Sequence, residues 1–255
     1  MIAYYEFNNI RYCLNVIASK EEFDLWKTFF EEVGMNVEEV KDLKNSREIK
    51  RLDLGDQSII NLDTLDVYNP VHKKIMFKLY EKYVKLNRNM QEYFETEYNE
   101  LIKGRKVLGV LYRGTDYTKL KPSGHPIQPS LEQILRDCKK RVEVGEYKYI
   151  YITTDEKRAV DFLQKELPEC KILENRRTYF DEFYDNKEMK KDIAACRHDR
   201  ANDKFLTAKE YISSVFLLSK CNELIAGNCG GSRAAIYLNN GKYKKVKLYK
   251  LGLYE

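Results

Sequence analysis

Arg113, Thr115 and Asp116 follow one another closely in LYRGTDY, where they close an apolar run that begins at Val107. A guanidinium at a strand end offers a planar fork of donors that suits a phosphate, and it stays charged at any relevant pH. An Arg113–Asp116 ion pair that only ties the loop accounts for the same residues. A second segment, ELIAGNCGGSRAAIYL at 223–238, runs from a strand through Gly227, Asn228, Gly230 and Gly231 into a helix expected to begin near Ser232. Glycines let the backbone approach a ligand closely, and a helix start adds free N–H groups and a partial positive charge; together these suit a pyrophosphate. A plain strand-to-helix turn reads the same way. The segment has neither G-K-[ST] nor G-x-G-x-x-G, so it is not a P-loop and not a dinucleotide fingerprint. In a third segment, YIYITTDE, strand residues end in Thr153, Thr154, Asp155 and Glu156. There Asp155 either caps the next helix or accepts hydrogen bonds from sugar hydroxyls. The dense charges of CRHDRANDKF, with His198, Asp199, Arg200, Asp203 and Lys204, read as a solvated loop.

These segments need a frame. Val107–Tyr112, Tyr149–Thr153, Lys171–Leu173, Glu223–Ala226 and Val246–Tyr249 read as strands, with helical patterns between most of them. That alternation predicts a parallel sheet with crossover helices, an open doubly wound α/β domain, in which ligands sit beyond the carboxyl ends of the strands. Ser130 with Gln133, and Thr207 with Glu210, read as capping boxes that start two of the helices. Ahead of the sheet, Ser19–Val33 reads as a helix with a Ser19/Glu22 capping box and a stop at Gly34. A long apolar stripe from Asn69-Pro70 to about Lys103 is either one helix or two with a break near Asn87.

At 255 residues, 43% hydrophobic and 13% aromatic, the chain can close a sizeable core. No apolar run approaches the roughly 18 residues of a membrane span. The start, MIAYYEFNNIRYC, lacks the cationic and apolar regions of a secretory signal, which predicts a cytoplasmic protein. The six cysteines are scattered, with no C-x-x-C pair and no zinc-like Cys/His spacing, and read as buried thiols. A net charge of +5 from 45 basic and 40 acidic residues describes a mixed surface. Without a helix-turn-helix, zinc finger or RNA-binding aromatic motif, no nucleic-acid partner is expected.

Taken together, LYRGTD (111–116), TTDE (153–156) and LLSKCNELIAGNCGGS (217–232) resemble the motifs of the GDP-fucose-dependent fucosyltransferase superfamily. That superfamily includes the nodulation and core α1,6-fucosyltransferases and bacterial polysaccharide-gene relatives. Its members carry an H-x-R-R-T-D-like motif after a strand, T-D-[DE] after a later strand, and a small-residue donor turn. The resemblance implies a Rossmann-like donor domain of GT-B type at 105–255, and a smaller, mostly helical acceptor-side region at 1–104. That region is either a reduced acceptor module or the remainder of a longer chain.

By the resemblance, Arg113 and Thr115 belong to the donor site, with Arg113 on the diphosphate, and Asp116 orders the loop. Asp155 and Glu156 line the sugar end, and Asn228, Gly230, Gly231 and Ser232 form the phosphate turn. An acidic residue on the preceding helix reads guanine in the family. Alignment puts Ser214 there, with Glu210 one turn earlier. Three departures stand out: Leu111 replaces the motif's histidine, Gly114 replaces its second arginine, and Lys121 lies near a carboxylate of the core enzyme that is proposed as base. Arg200 or Arg233 is a candidate for the lost charge. His125, in a loop on the rim, is the candidate general base because an imidazole titrates at about 6.5; Asp116 is its rival, and a loop histidine without a role is the plain alternative.

The implied activity is an inverting transfer of fucose from GDP-fucose to a glycan or glycolipid precursor of a bacterial surface polysaccharide. It would occur at the inner membrane face, with peripheral membrane association. No D-x-D triplet occurs, so no metal is expected, and no cofactor beyond the nucleotide sugar. Two alternatives share the fold: a non-catalytic nucleotide-sugar or glycan binder, and a transferase of another nucleotide sugar.

Overall fold

The computed structural model describes residues 25–34, 66–185, 193 and 196–255. Helix α1 (Leu25–Phe29) stops before the expected Val33, and Gly34 then takes a left-handed φ of +78°. Ser19 and Glu22 of the expected capping box lie outside the described residues. The long stripe forms two helices, α2 (Pro70–Tyr83) and α3 (Arg88–Leu101). Asn69 caps α2, its Oδ1 accepting from the Val71 and His72 N–H groups, with Pro70 in the first turn. At the break, Asn87 Oδ1 accepts the Met90 N–H at 3.0 Å. The chain divides into two compact units, Met1–Gln91 and Glu92–Glu255, so the division falls inside α3.

The second unit contains a parallel five-stranded sheet. Its strands are β1 (Val107–Tyr112), β2 (Tyr149–Thr154), β3 (Lys171–Leu173), β4 (Glu223–Ala226) and β5 (Lys245–Leu248), in the order β3-β2-β1-β4-β5. Each expected strand forms, within one residue at either end. Between and after them come α4 (Thr115–Leu120), α5 (Leu131–Gly145), α6 (Lys157–Glu166), α7 (Asp181–Asp185), α8 (Asp203–Leu218) and α9 (Gly230–Asn239). The Ser130/Gln133 capping box starts α5 as expected.

A central parallel strand is covered on both faces, which is why β1 is an unbroken buried run. On one face Leu108, Val110, Ile150 and Ile152 pack with Ile134 and Cys138 of α5 and with Ala159 and Leu163 of α6. On the other face α8 packs against β1 and β2. Gly109 allows the close approach there, since a Cβ would stand 2.9 Å from Leu218 Cδ1. The described cysteines, Cys138, Cys170, Cys196, Cys221 and Cys229, are free and buried. Among the described residues no helix is long and apolar enough to cross a membrane.

Candidate functional site

From β1 the chain winds outward to β2 and β3, and then returns to the other side of β1 to form β4. This reversal opens a crevice at the carboxyl ends of β1 and β4, the place where open α/β sheets bind ligands. Leu111 and Ala226 are paired across the two strands, so Arg113 and the Gly227–Ser232 turn leave the sheet side by side.

At the end of β1, the Arg113 guanidinium is ion-paired with Asp155 and, at 2.9 Å, with Asp116. Burial disfavours its charge, but Asp155 and Asp116 outweigh burial and raise its pKa further above the ordinary value. The Tyr117 ring lies 5.1 Å from the guanidinium. Asp116 also accepts the N–H groups of Tyr117 and Ile193, which ties the loop together. The ion-pair reading of Arg113 and Asp116 is therefore realised. Thr115 sits buried in a left-handed conformation, φ +40°, with its N–H donated to Glu156. A β-branched residue there stores backbone strain, which is characteristic of ligand-binding loops. Gly114 has no room for any side chain: a Cβ would overlap the Glu156 carboxylate and stand 2.7 Å from Tyr112 Cε1. Glu156, itself gripped by both arms of Arg158, occupies the space.

Asp155 does not cap α6. Asp181 does, accepting the Lys157 N–H at 2.6 Å and the Arg158 N–H at 3.2 Å. Asp155 instead bridges Arg113 to Arg177, a residue that sequence reading passed over. Arg177 follows the end of β3, and the rule that singled out Arg113 would have found it.

At the end of β4 the helix starts at Gly230, two residues before the expected Ser232. Ser232 is buried; its hydroxyl accepts the Cys229 N–H and donates to the Cys229 carbonyl, so it closes the turn. Gly230 has open space around it, whereas a Cβ on Gly231 would stand 2.7 Å from the Tyr211 hydroxyl. The Tyr211 phenol is made less acidic by burial, then by Cys229 and Asp155, with Arg113 and Arg177 opposing. The Tyr211 residue as a whole is 45% exposed. Gln128 donates to the Asn228 carbonyl and fills the space beside Gly227. The enclosed Oε1 of Gln128, Oδ1 of Asn228 and Nε of Arg233 have no hydrogen-bond partner.

Two expectations for the helix before this turn change. Helix α8 begins at Asp203, so Thr207 and Glu210 lie inside it and form no capping box. Glu210 is held by both arms of Arg200 and by the Thr178 N–H. Ser214 is fully buried against β2, its hydroxyl between Thr153 Oγ1 and the Tyr211 carbonyl, because that face of α8 covers the sheet. The charged segment before α8 is no solvated loop: His198 and Asp203 are buried, and Arg200 also binds Asp203 at 2.6 Å.

His125 is exposed on the rim, edge-on to Tyr117 at 5.4 Å. Its loop is braced by the chain end, with Gly124 N–H donating to the Tyr254 carbonyl and Tyr254 N–H to that of His125. The Nδ1 stands 3.1 Å from the Ser123 carbonyl, which can only accept, so Nδ1 carries a proton. No cluster of metal-ligating side chains occurs among the described residues.

No family model and no curated protein matches the sequence. Solved structures do. NodZ α-1,6-fucosyltransferase soaked with GDP-fucose aligns with 93% of this chain and 84% of its own, at 11% identity and a TM-score of 0.50. The chain has a fucosyltransferase-like fold. The same enzyme co-crystallised with GDP gives 12% identity and a TM-score of 0.48 over the same shares. POFUT1 in complex with GDP-fucose gives 10% identity and 0.44, over 71% of this chain and 50% of that one. The chain spans about half the length of the POFUT1 structures it matches.

Proposed function

We propose that this chain is a glycosyltransferase of GT-B type that moves fucose from GDP-fucose to a glycan or glycolipid precursor, with inversion and without a metal. One observation carries the reading. Arg113 and the glycine turn before α9, 117 residues apart at Gly230, converge at the switch point of a fold shared with NodZ, whose crystal was soaked with GDP-fucose. Preorganised positive groups there can stabilise the charge that grows on a departing diphosphate without rearranging. The acceptor hydroxyl oxygen bonds to the anomeric carbon as the bond from that carbon to the β-phosphate oxygen breaks, and the electron pair leaves with GDP. The hydroxyl proton passes to His125 Nε2. The oxygens of Asp116, its rival for that role, are already occupied by Arg113 and two backbone N–H groups. The acceptor lies at the inner membrane face, which the chain meets peripherally.

Thermal shifts with GDP, UDP, CMP and dTDP test the donor. A ligand at 100 times its dissociation constant adds about 2.7 kcal/mol, and GDP is expected to give the largest shift. A flat response to all four nucleotides would remove the reading. A second reading, a nucleotide-sugar binder without turnover, draws on the neutralisation of Arg113 by Asp116 and Asp155. Donor hydrolysis separates the two: a transferase slowly releases GDP from GDP-fucose and a binder does not.

A further inference from the structure

Two stretches of the chain, 117–131 and 224–254, contain neither Asp nor Glu and carry seven lysines, all exposed, although the molecule as a whole has 45 basic and 40 acidic residues. The fold joins them. Beyond β5 the Tyr249 N–H still donates to the Ala226 carbonyl at the end of β4, and the chain then pairs with the loop that holds His125. Gly124 N–H donates to the Tyr254 carbonyl at 2.9 Å, Tyr254 N–H to that of His125 at 2.9 Å, and Ile127 N–H to that of Gly252 at 3.0 Å, with Pro126 opposite Leu253. The resulting ribbon is apolar where it is most open: Leu253 is 60% exposed and Leu251 39%. Lys121 and Lys250 adjoin it in sequence, and Lys242, Lys244, Lys245 and Lys247 continue the positive charge along β5 and the turn before it. Lysines on an edge strand keep it from pairing with another sheet, which accounts for Lys245 and Lys247 but not for Lys119, Lys121 and Lys250 or for the exposed leucines.

We propose that this lysine-flanked ribbon docks on an anionic lipid bilayer, with Leu251 and Leu253 entering the headgroup layer and the lysines facing its phosphates. Charge and apolar exposure together select that partner. The exposed cations of both stretches are all lysine, which suits a diffuse negative surface, whereas a protein interface favours arginine and is depleted in lysine. A soluble polyanion held by charge alone has no use for the leucines, but a bilayer buries them. Docking sets His125, which sits on the same ribbon, at the level of the headgroups, where the sugar of a glycolipid precursor stands. That role rests on the glycosyltransferase reading above and names the surface through which the chain meets its acceptor.

Flotation of the whole chain with vesicles tests it. Wild type is expected to float with vesicles of equal parts phosphatidylcholine and phosphatidylglycerol, to ignore phosphatidylcholine alone, and to bind less as salt is raised. Lys121→Gln combined with Lys250→Gln is expected to weaken binding to the anionic vesicles at least tenfold. Leu251→Ser combined with Leu253→Ser should weaken it as much while keeping the salt dependence. All four side chains are exposed, so both double variants should keep the wild-type urea midpoint. Wild type that ignores the anionic vesicles, or binds both kinds equally, would overturn the docking, and undiminished binding by both double variants would overturn the surface. A loss confined to the lysine variant would mean a soluble polyanion and overturn the bilayer as partner. GDP thermal shifts on the same samples keep the two readings apart: a GDP shift without vesicle binding removes only the docking, whereas vesicle binding with a flat nucleotide response leaves the surface and removes the donor reading.

Discussion

Arg113 stands between two carboxylates that are themselves buried, Asp116 at 6% and Asp155 at 7% exposure. Breaking such a pair from one side leaves charge in the interior without compensation, a loss of about 3–5 kcal/mol. Arg113→Ala is therefore expected to lower the unfolding free energy by that amount, read as a lower urea midpoint at an unchanged slope. A loss under about 1 kcal/mol would place the pair with ordinary surface ion pairs. This reverses the simplest expectation for an arginine at the rim, whose removal would spare the fold. Much at this scale is legible in sequence: Arg113, Asp116, Asp155, Glu156 and Gly230 all come to one sheet edge because strand periodicity ends just before each segment. Their partners are not legible. Nothing local to LYRGTD announces that Glu156, 42 residues after Gly114, fills the space where a side chain would go. Nor does anything local link Arg177 to Asp155.

At the scale of elements, α8 shows how a motif can lose to longer-range chemistry. Thr207 and Glu210 have the spacing of a capping box, but Asp203 starts the helix a turn earlier, where Arg200 and the His198 N–H both reach its carboxylate. Glu210 then turns to Arg200 instead of to its own backbone. Ser130/Gln133 forms its box as read. The Asp203 carboxyl is pushed up by burial and pulled down more strongly by the Arg200 hydrogen bond and the His198 N–H, so its folded pKa lies below the ordinary value. The stabilisation from this group is therefore complete above the unfolded pKa of about 3.9 and fades as pH falls through the lower folded value. Asp203→Asn is expected to cost about 1.5–3 kcal/mol near neutral pH, the range for hydrogen bonds to charged groups. Its difference from wild type should shrink as the pH of the denaturation series is taken down below about 4. A difference that stays constant across the series would show that the charge of Asp203 contributes nothing.

For the whole molecule, the division between the two compact units falls between Gln91 and Glu92, inside α3. The change from helical to strand period after Gly104 invites a cut at 104/105, whereas the second unit begins at Glu92. Periodicity reports which residues of α3 are apolar but not what they pack on. Phe94, 5% exposed, meets the edge of Phe216 on α8 at 5.9 Å. Glu97, 1% exposed, accepts the Ser213 hydroxyl and, at 2.9 Å, the Arg176 N–H. Helix α3 is thus part of the layer that covers the sheet. A fragment of residues 105–255 would strip Phe94 from that layer, a loss of about 3–5 kcal/mol by comparison with large-to-small substitutions of buried aromatics, and would bare Phe216. A fragment of residues 87–255 keeps α3 and its starting residue Asn87. The longer fragment is expected to unfold in one cooperative urea transition, and the shorter to show a much lower midpoint or no cooperative transition at all. Coincident midpoints would move the boundary back to Gly104 and reduce α3 to a connector.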